Sequence, residues 1–263
     1  MNSNHLLKKA DLIRKLICEM CLIADSGHPN SSLSCVDILT VLYFSVMESK
    51  TDSFILSKGH AAPALYSALM AKDLLDRKFL KELRNFNSPL QGHPDRLRLP
   101  DVGASTGALG QGLSMTIGQA IGKKKKQELG FSYCIIGDGE SQEGQIWEAA
   151  LFAGNREIDN LIAFCDYNKG QSDGLLEDIM SLGDLKAKWE AFNWNVIETN
   201  GHSIPEIQKA ILKCKNKNDK KPSMIIAHTI KGYISKNLSI LDQDHGGKMT
   251  GDTLKKVISE LNL

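Results

Sequence analysis

The sequence predicts an α/β domain with a mostly parallel central sheet and helices on both faces. Short apolar runs without polar alternation recur at 54–56, 133–136, 161–165, 196–197 and 224–227, the pattern of strands buried on both sides. Longer stretches of helical periodicity separate them, at 61–75, 112–122, 146–155 and 204–214, and such alternation builds parallel sheets through crossover connections. The unusual loop motifs fall just after the apolar runs, where parallel sheets collect ligands.

Taken in order, the amino-terminal part reads as two helices interrupted by Ser26-Gly27-His28-Pro29-Asn30-Ser31-Ser32. Gly, Pro and Asn stop the first, and Ser32 or Ser34 is placed to cap the second, which carries Val36, Ile38, Leu39, Leu42 and Tyr43. The lysine run 123–126 reads as a solvated helix end, since cations there complement the helix dipole and no aromatic residues interleave. Residues 213–221 form a polar, basic connector before the run at 224, and 250–261 read as a small amphipathic helix. No internal repeat is visible.

Composition excludes several classes. With 32 Lys+Arg against 31 Asp+Glu over 263 residues, no global field points to nucleic acid or to an acidic surface. No apolar run approaches the roughly 20 residues needed to span a bilayer. The opening MNSNHLLKK has neither the apolar stretch nor the cleavage site of a signal peptide, so the cytoplasm is the expected compartment. Six cysteines are scattered along the chain. Cys18 and Cys21 form a CxxC, but no second CxxC or His pair completes a zinc site. The neighbouring Leu16, Ile17, Met20 and Ala24 recur at helical spacing, which predicts that both thiols are core residues.

The chemistry concentrates after the run at 133–136, in Gly137-Asp138-Gly139-Glu140-Ser141-Gln142-Glu143-Gly144. Glycines around an acidic residue at a strand end let the backbone approach a phosphate while the carboxylate holds a hard cation. Asn168, in Asp166-Tyr167-Asn168-Lys169-Gly170, ends the next strand, one β-α-β step further on, so adjacent strand ends would bring it beside Asp138. One carboxylate, one amide oxygen and a backbone carbonyl suit a magnesium ion whose other ligands are phosphate and water. Four histidines, His28, His60, His93 and His245, lie next to Gly or Pro in turns, and imidazole suits proton transfer near neutral pH.

Gly-Asp-Gly followed by Asn at this separation is similar to the thiamine diphosphate signature, and 137–174 resembles the transketolase family. So do Ser26-Gly27-His28-Pro29, Leu56-Ser57-Lys58-Gly59-His60-Ala61, Gly92-His93-Pro94, Ser105-Thr106-Gly107-Ala108-Leu109-Gly110-Gln111-Gly112 and Asp244-His245-Gly246. These motifs cover almost the whole chain, in the family's order. The resemblance implies the thiamine-diphosphate-binding fold, with thiamine diphosphate and magnesium (calcium or manganese in substitution) as cofactors. Asp138, Asn168 and the Gly170 carbonyl would hold the metal. His60, Gly139 and His245 would meet the diphosphate, with Gly107 and Leu109 supporting the cofactor. His28, His60, His93 and His245 would be the catalytic histidines. Glu143 and Glu148 match acidic positions between the cofactor sites at a dimer interface, and Glu143 counts with the cofactor-binding residues.

Residues 1–263 then form a single diphosphate-binding domain, and the family's pyrimidine-binding and carboxy-terminal domains are expected on a separate polypeptide. The expected enzyme is the amino-terminal subunit of a split transketolase, moving a two-carbon ketol unit from a ketose or ketose phosphate donor to an aldose. A homodimer through this domain within a heterotetramer of two plus two is the natural assembly; neither nucleic acid nor membrane is an expected partner. The alternatives are a subunit of another thiamine enzyme, akin to deoxyxylulose phosphate synthase or a 2-oxo acid decarboxylase, and a non-catalytic regulatory relative. Asn30 stands where the family has Gly, a replacement that tolerates left-handed backbone. Asp101 and Gly103 stand for a Gly and a Glu, and Tyr233 for a small or basic residue. These departures surround the expected substrate funnel.

Overall fold

A computed structural model describes residues 3–235 and 249–261. Its centre is a five-stranded sheet in the order β1-β2-β3-β5-β4, parallel at every pairing. The strands are β1 (Ser53–Leu56), β2 (Ser132–Gly137), β3 (Leu161–Tyr167), β4 (Asn195–Asn200) and β5 (Ser223–His228). All five apolar runs are strands, and β2 and β3 are buried on both faces almost throughout.

Two hydrophobic layers explain why the runs do not alternate. Tyr133, Ile135, Ile162, Phe164 and Ile225 point into one, packed by α1 (Ser3–Ala24), α3 (Val36–Val41), α4 (Ala62–Ala71), α9 (Ile204–Lys215) and α10 (Gly251–Glu260). Cys134, Ile136, Ala163, Cys165 and Met224 point into the other, under α5 (Gln111–Lys126), α6 (Gly144–Asn155) and α8 (Leu185–Ala191). Successive strand residues face opposite ways, so each face needs its own apolar set.

The amino-terminal pair of helices is three. Between α1 and α3 lies the one-and-a-half-turn α2 (Pro29–Ser34), with Pro29 in its first turn. Neither Ser32 nor Ser34 caps α3, whose N-cap position is Cys35, without a side-chain hydrogen bond. The Ser34 hydroxyl instead donates to Asp166 at 2.5 Å, with the Ser31 carbonyl 3.0 Å away, because an ionised carboxylate is the stronger acceptor. The expected 61–75 helix stops at Ala71, ahead of left-handed Asp73. Two further short helices, α7 (Leu176–Met180) and α8, lie between β3 and β4.

All six cysteines are unpaired and buried. The Cys18 and Cys21 thiols lie in the core beneath α1, as their helical spacing predicts. Burial pushes both, and Cys35, up to about 12. No described helix is long and apolar enough to cross a membrane.

Candidate active site

The carboxyl ends of β1, β2, β3 and β5 gather the motif loops. Gly137 pairs with Asp166, which sets Asp138 beside the 166–170 loop: the Asp138 amide donates to the Asp166 carbonyl at 3.3 Å. Asp138 Oδ1 accepts from the Gly139 amide at 2.7 Å and Oδ2 from the Lys169 amide at 2.5 Å. Asn168 Oδ1 accepts from the Gly170 amide at 3.0 Å. Asp138, Gly139, Asn168 and Gly170 thus form one group, as expected from sequence. Burial and the nearby Asp166 charge raise the Asp138 carboxyl to about 6, a setting in which a cation would restore the charged form.

The donor set fits magnesium and a diphosphate. Among the described residues, no cluster of three His, Cys, Asp or Glu side chains could hold a metal. A carboxylate, an amide oxygen and a carbonyl are hard oxygen donors that leave room for phosphate ligands. Gly139 and Gly170 keep the approach open. A Cβ on Gly139 would lie 3.1 Å from Gln171 Cγ, and one on Gly170 2.9 Å from Lys231 Cδ. Gln171 Nε2 is buried without a hydrogen-bond partner, and Lys231 Nζ donates to the Gln171 carbonyl at 2.7 Å. A donor and a cation therefore face the glycine cradle, as an anionic ligand requires.

Two buried acids that sequence reasoning left without roles organise this end of the sheet. Asp166 is fully buried and accepts from Lys58 Nζ, from Ser34 Oγ at 2.5 Å and from Thr229 Oγ1. Burial alone would raise its carboxyl, but the Lys58 charge and the hydrogen bonds hold it below the usual carboxylate range. Lys58 also donates to the Ser31 carbonyl at 2.9 Å, so one ion pair ties the β1, β3 and β5 ends to α2. Glu140 accepts from Ser57 Oγ, from the Gly110 amide at 2.9 Å and from the Gly137 amide at 3.0 Å. It locks the 105–112 loop against two strand ends. No sequence signal marks either acid, because the partners of both come from other strand ends.

Three histidines converge. The His28 and His60 rings meet edge to face, centroids 5.5 Å apart. His93 packs on the 105–112 loop, where a Cβ on Gly107 would come within 3.2 Å of its ring. Tyr66, fully buried, donates to the carbonyls of Gln91 and His93 and anchors that turn. Burial, joined by the charge of Lys58, depresses His60 to about 3. Burial and Arg84 lower His28 and His93 as well. All three imidazoles therefore favour the neutral form near pH 7, each with a lone pair that can accept a hydrogen bond. His245 lies outside the described residues, as do Asp244 and Gly246.

Leu109 is half-buried in the 105–112 loop. Glu143 is exposed at the start of α6, with its stem against Gly110, and Glu148 is exposed further along that helix. A cleft of about 450 Å³ opens beside His28, lined also by Ser26, Arg84, Ser172, Lys231 and Leu254. Asn30 sits in the helical backbone of α2, so its left-handed tolerance is not used. Gly103 cannot be replaced in this backbone, because a Cβ there would fall 2.0 Å from the Phe54 carbonyl oxygen.

A parallel sheet whose carboxyl ends hold a carboxylate–amide pair, a glycine cradle and three neutral imidazoles is an α/β domain with a donor set suited to a metal and a diphosphate. Comparison with known proteins makes it specific: the family description "Transketolase, thiamine diphosphate binding domain" matches residues 7–262. The chain belongs to the transketolase family, as its thiamine diphosphate binding domain. It is 41% identical to the 6-deoxy-6-sulfo-D-fructose transketolase subunit SqwG of Clostridium sp. (strain MSTE9), over 96% of this chain and 94% of that one. It is 37% identical to one of the subunits of the apulose-4-phosphate transketolase of Phocaeicola vulgatus, over 95% and 91%. The fold superposes on Campylobacter jejuni transketolase with a TM-score of 0.89 at 32% identity, covering 100% of this chain but only 43% of that one.

Proposed function

We propose that this chain is the amino-terminal subunit of a split transketolase, moving a two-carbon ketol unit from a ketose or ketose phosphate to an aldose together with a separate carboxy-terminal subunit. The observation that carries this reading is the joining of Asp138 and Asn168 at adjacent strand ends, beside three neutral histidines. The subunit character of relatives matched over nearly their whole length supports the partner.

Asp138, Asn168 and the Gly170 carbonyl would hold magnesium, and Gly139, His60, Gly107 and Leu109 the cofactor, completed by His245. When bound, thiamine diphosphate supplies the carbanion chemistry that cleaves and forms the carbon–carbon bond. The protein's share is to orient the sugar and move protons. His28, on the cleft wall, and His93 would take a proton from one sugar hydroxyl and return it to another, and Arg84 and Lys231 would draw an anionic sugar into the cleft. Glu143 and Glu148, exposed with Leu151 and Phe152 on α6, would meet a second copy of this domain, building a heterotetramer of two plus two. Neither a membrane nor nucleic acid is a partner in this reading, and the cytoplasm is its compartment.

Calorimetric titration of thiamine diphosphate with and without magnesium tests it, using this chain alone and mixed with its candidate carboxy-terminal subunit. Magnesium-dependent binding, lost in Asp138→Ala, and hydroxypyruvate turnover only in the mixture are the expected results. Absence of binding in both settings would sink the assignment.

A further inference from the structure

The loop that follows β5 is attached at every residue. Thr229 Oγ1 donates to Asp166, and the Ile230 amide donates to His202 Nε2 at 2.8 Å. Lys231 Nζ reaches the Gln171 carbonyl, and the Gly232 amide reaches the Asn30 carbonyl at 2.8 Å. Tyr233 lies flat on the His202 ring, centroids 3.6 Å apart and planes 18° from parallel. Ile230 itself is 50% exposed, so its amide hydrogen bond holds that point of the loop rather than apolar burial.

His202 is built for this contact. Its side chain is 8% exposed, and its amide donates to Asn200 Oδ1 at 2.9 Å, as expected of a residue turning the chain toward α9. A Cβ on the preceding Gly201 would lie 2.3 Å from Thr229 Cγ2, so glycine at 201 lets the 229–233 loop come this close. Nδ1 faces Asp37 Oδ2 at 3.0 Å. The same oxygen accepts from Arg14 Nη2 at 2.5 Å, and the Arg14 guanidinium lies 5.4 Å from the Tyr233 ring centre. An N–H approaching Nε2 requires a lone pair there, so the proton sits on Nδ1 and points at Asp37. A doubly protonated ring would set one N–H against another.

We propose that His202, neutral and protonated on Nδ1, is a positioning residue that latches the 229–233 loop over the cofactor end of the sheet. The consequence for the reaction rests on the reading of that end as the cofactor site. The latched loop carries Lys231 to the Gly170 cradle and, through Gly232, props the Asn30 turn that follows His28. Tyr233, one of the departures from the family pattern, clamps the imidazole from its face.

Ring nitrogen spectra of the ¹⁵N-labelled full chain, with His202 assigned by its loss in His202→Gln, read the tautomer directly. The expected result is protonated Nδ1 and unprotonated Nε2. Amide exchange is then followed in the wild type, in His202→Phe, which keeps a flat ring without its hydrogen bonds, and in His202→Gln, with Ile225 as the internal control. Exchange at Ile230 and Gly232 should quicken about fivefold or more in His202→Phe, while Ile225 stays protected. Magnesium-dependent thiamine diphosphate affinity should weaken by about tenfold. A ring protonated on Nε2, or unaltered exchange at Ile230 in both variants, overturns the latch. Faster loop exchange with unchanged cofactor affinity keeps the latch and overturns its link to the site. Where His202→Phe also loses protection at Ile225, His202→Gln and the wild-type tautomer decide.

Discussion

Lys58 and Asp166 are a buried ion pair whose value depends on both partners being present. Removing one leaves an unpaired buried charge, a loss of about 3–5 kcal/mol for pairs of this kind. Asp166→Ala should therefore lower unfolding free energy in urea by about that amount, whereas Lys58→Met combined with Asp166→Leu should recover much of it. Equal destabilisation by the single and double variants would show that the pair is not acting as a unit. His60 adds a pH term. Its folded proton affinity is depressed, chiefly by burial, from the ordinary 6.5 to about 3, so the unfolded chain binds more protons in between. Its stabilising contribution is complete above about pH 6.5 and is lost as pH falls toward 3. The slope is about 1.4 kcal/mol per pH unit for one such group. His60→Gln should flatten the stability profile between pH 4 and 6, and an unchanged slope would reject this account. At this scale Asp138, Asn168 and the turn histidines were legible, because glycine and proline around a titratable residue mark a loop. Lys58, Glu140 and Asp166 were not, because their partners come from other strand ends and emerge only once the register is fixed.

Among the elements, α5 shows how differently the glycines of one helix are constrained. At its start, a Cβ on Gly112 would fall 2.4 Å from Ser57 Oγ and 2.6 Å from Ser57 Cα, so the helix abuts the β1 end with nothing to spare. At Gly118 and Gly122, an added Cβ meets nothing within 4 Å. Gly112→Ala should destabilise by about 1–3 kcal/mol through overpacking. Gly118→Ala should stabilise by about 0.5–1 kcal/mol through helix propensity. Melting temperatures of the two variants should move in opposite directions, and a shared direction would contradict the packing described. Helical and strand periods were readable because apolar spacing is set by backbone geometry. The division into α2 and α3 was not, since Ser34 looks like a cap and is taken by Asp166, a competitor from β3.

For the whole molecule, the parallel class followed from alternating strands and helices, but the return of β5 between β3 and β4 left no trace in the sequence. Strand order depends on which crossovers pack best, a property of both apolar layers together. The assembly belongs at this scale too: light scattering of the mixed subunits should give a mass corresponding to two copies of each. A one-plus-one complex would instead leave the exposed face of α6 without a role. The burial of every cysteine has a practical corollary. A thiol reagent should find almost nothing to modify in the native protein within minutes, and all six sites after denaturation. The molecule can therefore be handled as though it had no reactive thiol. A single cysteine introduced at Ser172, on the cleft wall, would carry a fluorescent dye by itself, and its emission would register the arrival of the second subunit in real time.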